Sequence, residues 1–217
     1  MNSIAVIDYG MGNLRSVAKA LEHVVDRRQR VLVTSEPQKV RAAERVVFPG
    51  QGAARDCMRA LARDGLIEAV REAAAAKPFL GLCMGMQALV DYSEENGGTE
   101  CLGLLPGQVR YFGRAFADID GEGKRLKIPH MGWNQVMQTR GHPLWKSIGD
   151  NSRFYFVHSY YIAPEDAGLT LGATDYGVTF ASAIGRDNVF AMQCHPEKSA
   201  NAGLTLLANF VRWDGVA

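Results

Sequence analysis

The segment Pro78-Phe79-Leu80-Gly81-Leu82-Cys83-Met84-Gly85-Met86-Gln87 constrains the architecture more than any other part of the chain. Its first half is a short apolar run of the kind that forms a buried strand. Its second half suits a helix, and glycines stand two residues to either side of the cysteine. A strand that hands over to a helix within one residue must turn sharply. Glycine at positions 81 and 85 removes the side chains that would strike neighbouring backbone at such a turn. Cys83 would then sit at a helix N-terminus, where unpaired N–H groups and the positive end of the dipole favour thiolate over thiol. A bland reading competes with this one, since a lone cysteine is more often a small buried hydrophobe.

A nucleophile also needs a base. Far downstream, Phe190-Ala191-Met192-Gln193-Cys194-His195-Pro196-Glu197 supplies a histidine and, two residues on, a carboxylate able to orient it. Of the other histidines, His23 lies in a polar helical stretch and His142 in a loop before Pro143, so both read as surface residues. His158 stands among alternating aromatics and reads equally well as a packed histidine. Cys83, His195 and Glu197 are therefore the candidate catalytic set.

The pattern around these segments is that of an α/β protein. Residues 4–7, 30–34, 45–48 and 79–82 read as short buried strands, while residues 14–25 and 53–76 have helical spacing, with Asn13 as a cap and a break near Gly65. Such alternation implies a mostly parallel sheet covered on both faces, a three-layer α/β/α arrangement. Gly10, Pro49 and Cys83 all fall at strand carboxyl ends, where ligands bind in sheets of this type. After Gly98 the strands at 109–112, 135–137, 154–157, 178–180 and 189–192 are separated by turns, which implies antiparallel additions in the C-terminal half before a closing helix over 202–213. No linker or repeat interrupts residues 1–217, so one domain is the economical reading.

Composition excludes several classes of function. A net charge of +1 over 217 residues gives no electrostatic footprint for nucleic acid. The arginines at 41, 45, 55, 59, 63 and 71 read as a solvated helix face. Cys57, Cys83, Cys101 and Cys194 have neither zinc-ligand nor disulfide-framework spacing, so no metal is indicated and a reducing cytoplasm suits them. The first residues lack a basic region and meet Asp8 early, which makes them a strand rather than a signal peptide. No run approaches the roughly 20 apolar residues that would span a membrane. Gly10-Met11-Gly12 resembles the start of a dinucleotide loop, but Arg15 stands where the third glycine belongs, so no nucleotide cofactor is indicated.

The order of the Pro49-Gly50-Gln51-Gly52 loop, the Cys83 elbow and the His195-Pro196-Glu197 motif resembles the class I (triad) glutamine amidotransferases. Asp8-Tyr9-Gly10-Met11-Gly12-Asn13, Pro129-His130-Met131-Gly132-Trp133-Asn134 and Tyr155-Phe156-Val157-His158-Ser159-Tyr160 narrow the resemblance to the branch serving the histidine pathway. It implies hydrolysis of L-glutamine by Cys83, His195 and Glu197, without a cofactor. It also implies an oxyanion hole from the N–H groups of Met84 and Gln51, although relatives more often carry a small apolar residue at position 51. Substrate contacts are implied at Gly50, Gly52, Gln87, His158, Ser159 and Tyr160, and at Glu95, with Glu94 beside it as the alternative. The implied partner is a cyclase of (β/α)8-barrel fold in a 1:1 pair, docking against Tyr9, Gly10, Met11, Asn13, Pro129, His130, Met131, Trp133 and Asn134. Two rivals are a glutaminase serving another synthase and a binding module without activity.

Overall fold

Strict alternation of apolar side chains on four neighbouring strands sets the layers. In the computed structural model, which describes residues 2–115 and 126–216, those strands are β1 (Asn2–Ile7), β3 (Arg45–Gly50), β4 (Phe79–Cys83) and β13 (Val189–Met192). Ala5, Ile7, Val46, Phe48, Phe79 and Ala191 point into one apolar cluster; Ile4, Val6, Val47, Leu80, Phe190 and Met192 point into the other. A sheet with both faces apolar must be covered on both. Helices α2 (Pro37–Ala42), α3 (Ala54–Arg63) and α4 (Ile67–Ala76) cover the first face, and α1 (Leu14–Val24) and α7 (Ala200–Phe210) the second. Helix α7 does so with Gly203, Leu206, Leu207 and Phe210, a repeat that places them on one stripe.

With β2 (Gln29–Thr34) at the edge, the order β2-β1-β3-β4-β13 is parallel throughout. The chain between α5 (Met84–Gln87) and β13 builds the other half: β5 (Tyr92–Ser93), β6 (Thr99–Glu100), β7 (Gly107–Tyr111), α6 (Phe112–Ala115), β8 (His130–Gln138), β9 (Ser152–His158), β10 (Tyr160–Pro164), β11 (Thr170–Asp175) and β12 (Thr179–Arg186). Apart from the parallel β5–β7 pair, its ladders are antiparallel. The expected three-layer α/β fold with a parallel centre and antiparallel additions is thus present. Asn13 caps α1 by accepting from the Ser16 N–H, and the helical stretch at 53–76 breaks at Gly65, where φ is +65°.

Three local expectations change. Helix α2 is not legible from the pattern because it is six residues long and opens on Pro37. Strand β8 starts at His130, not at 135, because the antiparallel ladder with β9 already pairs His130 with His158. His142 is not a surface residue: it is buried against Phe190 and Trp213, with Nδ1 accepting from the Leu144 N–H at 3.1 Å.

Candidate active site

The sheet register alone brings the two distant motifs together. Strand β13 lies parallel to β4 with Met192 opposite Leu82, so the residues after Met192 emerge beside Cys83. On the other side Gly50 pairs with Cys83, which sets Gln51 at the same level. Cys83 has φ +53° and ψ −109°, a strained conformation for a residue with a Cβ. The glycines around it behave as the sequence implies. A Cβ on Gly85 would lie 1.7 Å from the Phe48 carbonyl oxygen, and one on Gly81 2.9 Å from the Ala191 Cβ.

The helix after the cysteine is a single turn, Met84–Gln87. That weakens the expected dipole effect, which sums over aligned peptides. The groups that act on the sulfur are instead side chains. Gln193, fully buried, donates its Nε2–H to Cys83 Sγ at 3.5 Å, and His195 lies close enough for its charge to couple to the sulfur. Sequence reasoning misses Gln193. Its only signal is a polar residue inside an otherwise apolar run leading to His195.

His195 Nδ1 and Glu197 Oε1 are 2.9 Å apart, so the carboxylate fixes the proton on Nδ1. Among the described residues His195 Nε2 has no hydrogen-bond partner, and it is buried beside the cavity that Cys83 also lines. Burial disfavours the imidazolium, but the closeness of Cys83 and the hydrogen bond and charge of Glu197 prevail and push His195 up to about 10. The turn carrying the pair is held by His195 N–H donating to the Tyr155 carbonyl and by Ser199 Oγ donating to the His195 carbonyl, at 2.9 and 2.6 Å.

The cavity, of about 450 Å³, is lined by Gln51, Gly52, Cys83, Met84, Gln87, Glu95, Pro129, Val157, His158, Ser159, Tyr160, His195 and Lys198. The sequence-derived substrate residues converge here, with Gly50 just beneath in the β3 ladder. Of the two acids, Glu95 lines the cavity, with its Oε2 accepting from the Ala54 N–H at 2.8 Å, while Glu94 accepts from the Tyr111 N–H. Burial raises Glu95 against the opposing effect of that N–H. Both amide hydrogens of Gln87 are spent internally, on the Tyr160 carbonyl and on Gln193 Oε1, so only its carbonyl can answer a ligand. The Tyr160 carbonyl, accepting from His158 Nδ1 as well, has both lone pairs engaged.

The residues assigned to docking divide. Tyr9 is wholly buried, its ring edge-on to Phe48 and its hydroxyl under Gly50, because β1 ends inside the sheet; it offers no outer surface. His130 is likewise interior, stacked on Phe156 and Tyr176. Asn134 is half-buried and donates to His130 Nε2 and the Asp175 carbonyl. Gly10, Pro129, Met131 and Trp133 are exposed, the last two at 62% and 45%. Met11 and Asn13 are half-buried beside the Gly50–Gly52 loop: a Cβ on Gly52 would meet Met11 Cε at 2.6 Å.

The family model for glutamine amidotransferase class-I matches residues 5–213. The chain belongs to the class-I glutamine amidotransferases. It is 58% identical over its whole length to a curated relative from Nitrosococcus oceani, and 60% identical over 216 residues to one from Nitrosospira multiformis, with 100% of each chain covered in both. Both relatives are named imidazole glycerol phosphate synthase subunit HisH. Among solved structures, a glutamine amidotransferase from Thermotoga maritima covers 93% of this chain and 78% of its own, with TM-score 0.57 at 16% identity. The glutaminase domain of Trypanosoma brucei CTPS with bound acivicin covers 100% and 96%, with TM-score 0.61 at 18% identity. These two likenesses speak for the fold.

The buried histidines of this amidotransferase titrate in opposite senses. Burial pushes His130 and His142 down to about 4 and His158 to about 3, so they remain neutral while the unfolded chain charges them. Their stabilisation is complete above 6.5 and is lost as pH falls toward 4 and 3. His195, raised, is the reverse: its stabilisation is complete below 6.5 and is lost as pH climbs through about 10. Urea midpoints measured across that range should fall on both limbs, and Glu197→Gln should flatten the alkaline limb alone. An alkaline limb unchanged by that substitution would assign it to other groups.

Proposed function

We propose that this chain is the glutamine-hydrolysing subunit of an imidazole glycerol phosphate synthase, releasing ammonia from L-glutamine for a cyclase partner. The observation that carries the chemistry is the buried His195–Glu197 pair at 2.9 Å, with His195 and Cys83 lining one cavity. Family membership and relatives near 58% identity over the full length support the assignment to this synthase.

In this mechanism the Cys83 thiolate attacks the side-chain amide carbon of glutamine, and the C–S bond forms as the carbonyl π pair moves to oxygen. The N–H groups of Met84 and Gln51 receive that oxyanion; Met84 opens α5, where first-turn N–H groups lack helical acceptors. His195 gives its Nε2 proton to the departing nitrogen, which leaves as ammonia and a glutamyl thioester. The now neutral His195 takes a proton from water, whose oxygen attacks the thioester, and glutamate leaves as the thiolate is restored. Glu197 compensates the imidazolium in both halves. The Glu95 carboxylate suits the substrate ammonium, and backbone at Ser159 and Tyr160 suits its carboxylate.

The partner would be a (β/α)8 barrel in a 1:1 pair, which adds ammonia to a phosphoribulosyl formimino intermediate to give imidazole glycerol phosphate and aminoimidazole carboxamide ribotide. Ammonia in neutral water is mostly ammonium, which has no lone pair with which to attack, so transfer has to be shielded. The exposed apolar face of β8, carrying Met131, Trp133 and Met137 next to Pro129 at the cavity rim, suits that seal.

Cys83→Ala should abolish glutamate release while leaving partner binding intact. Cys194→Ala should retain it, because burial holds the Cys194 thiol far above its ordinary value and fixes it in the core. The opposite ranking would overturn the assignment. Gln51→Pro deletes one oxyanion donor and should lower partner-stimulated hydrolysis about 10²–10³-fold; an unaltered stimulated rate would exclude that peptide. Trp133→Ala should weaken the complex by about 2 kcal/mol or more, or let glutamine be consumed without equal imidazole product. Titration calorimetry and paired product assays measure the two effects, and equal yields with unchanged affinity would free Trp133 of any docking role.

A further inference from the structure

Alternation along β8 separates the segment His130-Met131-Gly132-Trp133-Asn134 into two sets. Met131 and Trp133 face outward, while His130 and Asn134 turn inward and meet partners there. Because the β8–β9 ladder pairs His130 directly with His158, the two imidazoles meet across the strands, with His130 Nδ1 2.9 Å from His158 Nε2.

The network fixes every proton in this cluster. His158 Nδ1 lies 2.7 Å from the Tyr160 carbonyl oxygen, which can only accept, so Nδ1 carries the hydrogen. His158 is neutral, so its Nε2 has a lone pair and His130 Nδ1 donates to it. His130, also neutral, leaves its Nε2 to accept from Asn134 Nδ2 at 3.2 Å. Donation runs one way, from Asn134 to the Tyr160 oxygen. From the other side Gln87 Nε2 donates to the same oxygen at 3.2 Å and to Gln193 Oε1 at 2.8 Å, and Gln193 Nε2 donates to Cys83 Sγ. An inverted Gln87 would set carbonyl against carbonyl at both contacts. An inverted Gln193 would aim oxygen at the sulfur.

We propose that Asn134, His130 and His158 are positioning residues for the nucleophile: their one-way chain of hydrogen bonds fixes the Tyr160 carbonyl and Gln87, and so holds the Gln193 N–H on Cys83 Sγ. This rests on the reading of Cys83 as the nucleophile. Losing His130 leaves the His158 Nε2 lone pair buried without a donor, which favours the other tautomer or a turned ring and withdraws the hydrogen from Tyr160. The other titratable groups around the sulfur lie outside this chain of bonds: His195 and Glu197 from the turn after β13, Tyr9 after β1, Cys57 on α3, Cys194, and Glu95 and Lys198 at the cavity.

The test reads the thiol itself. Iodoacetamide labelling of Cys83, located by mass spectrometry, is followed against pH in the full chain for wild type, His130→Phe and His130→Asn. Phenylalanine keeps an aromatic ring between Phe156 and Tyr176 and removes both nitrogens, whereas asparagine returns an N–H close to the position of Nδ1. His130→Phe is expected to carry about tenfold less thiolate at a given pH, a midpoint about one unit higher, and to lose about tenfold in kcat with KM moved less. His130→Asn is expected to recover most of both. An unchanged midpoint in a folded His130→Phe, or an asparagine variant no better than phenylalanine, overturns the proposal. Should His130→Phe fail to fold, Asn134→Ala at the half-exposed head of the chain decides: a midpoint shift in the same direction supports the proposal and no shift overturns it. Failure of the glutaminase reading would look different. Wild type with its cyclase would release no glutamate, while the labelling profiles would still rank the variants.

Discussion

The parallel ladder between β4 and β13 is the contact on which the rest of the site depends. Roughly a hundred residues of chain separate these strands, and their pairing is what sets the Cys83 elbow beside the His195 turn. With Met192 opposite Leu82, the next residues on each strand leave the sheet at one level, one entering the elbow and the other the turn that carries His195. A slip of one residue would turn Gln193 and His195 to the opposite faces. The pattern of both strands prevents it, because Phe190 and Met192 fill one apolar layer and Val189 and Ala191 the other.

The same neighbours hold the strain at Cys83. A residue with a Cβ at positive φ costs on the order of 1–3 kcal/mol and persists only where its surroundings over-determine it. Here the Phe48 carbonyl packs where a Gly85 side chain would be, and Ala191 where a Gly81 side chain would be. The two strands that deliver Gln51 and His195 are thus the ones that clamp the elbow, so Cys83, the Gly50–Gly52 loop and the His195–Glu197 pair are located by one set of contacts.

That explains what is legible in the sequence. The parallel half, the elbow and the His195–Glu197 pair are local patterns: apolar runs, flanking glycines, a carboxylate two residues from its histidine. Features that depend on pairing between distant segments are not legible. Gln193 acts on Cys83 only because of the β4–β13 register, and His142 is buried by Phe190 and Trp213 from far along the chain. Tyr9 misleads for a similar reason. The loop around it is glycine-rich and looks like surface, but the residue shortly after β1 still lies within the first apolar layer.

Strand β8 poses the same problem in reverse, since one motif there serves two purposes. A period of two sends Met131 and Trp133 outward and His130 and Asn134 inward, so a run that resembles a single docking patch is half wall and half interior. The inward half is polar yet uncharged, because burial keeps His130 and His158 neutral far below physiological pH. Neutrality matters at this place. A cation beside Tyr160 would act on Cys83 and His195 directly, and in a low-dielectric interior such an effect is strong. Hydrogen-bond direction, unlike charge, can be passed along the wall without disturbing that balance. The wall can therefore orient groups around Cys83 without adding to the charged residues that line the cavity with it, Glu95, His195 and Lys198.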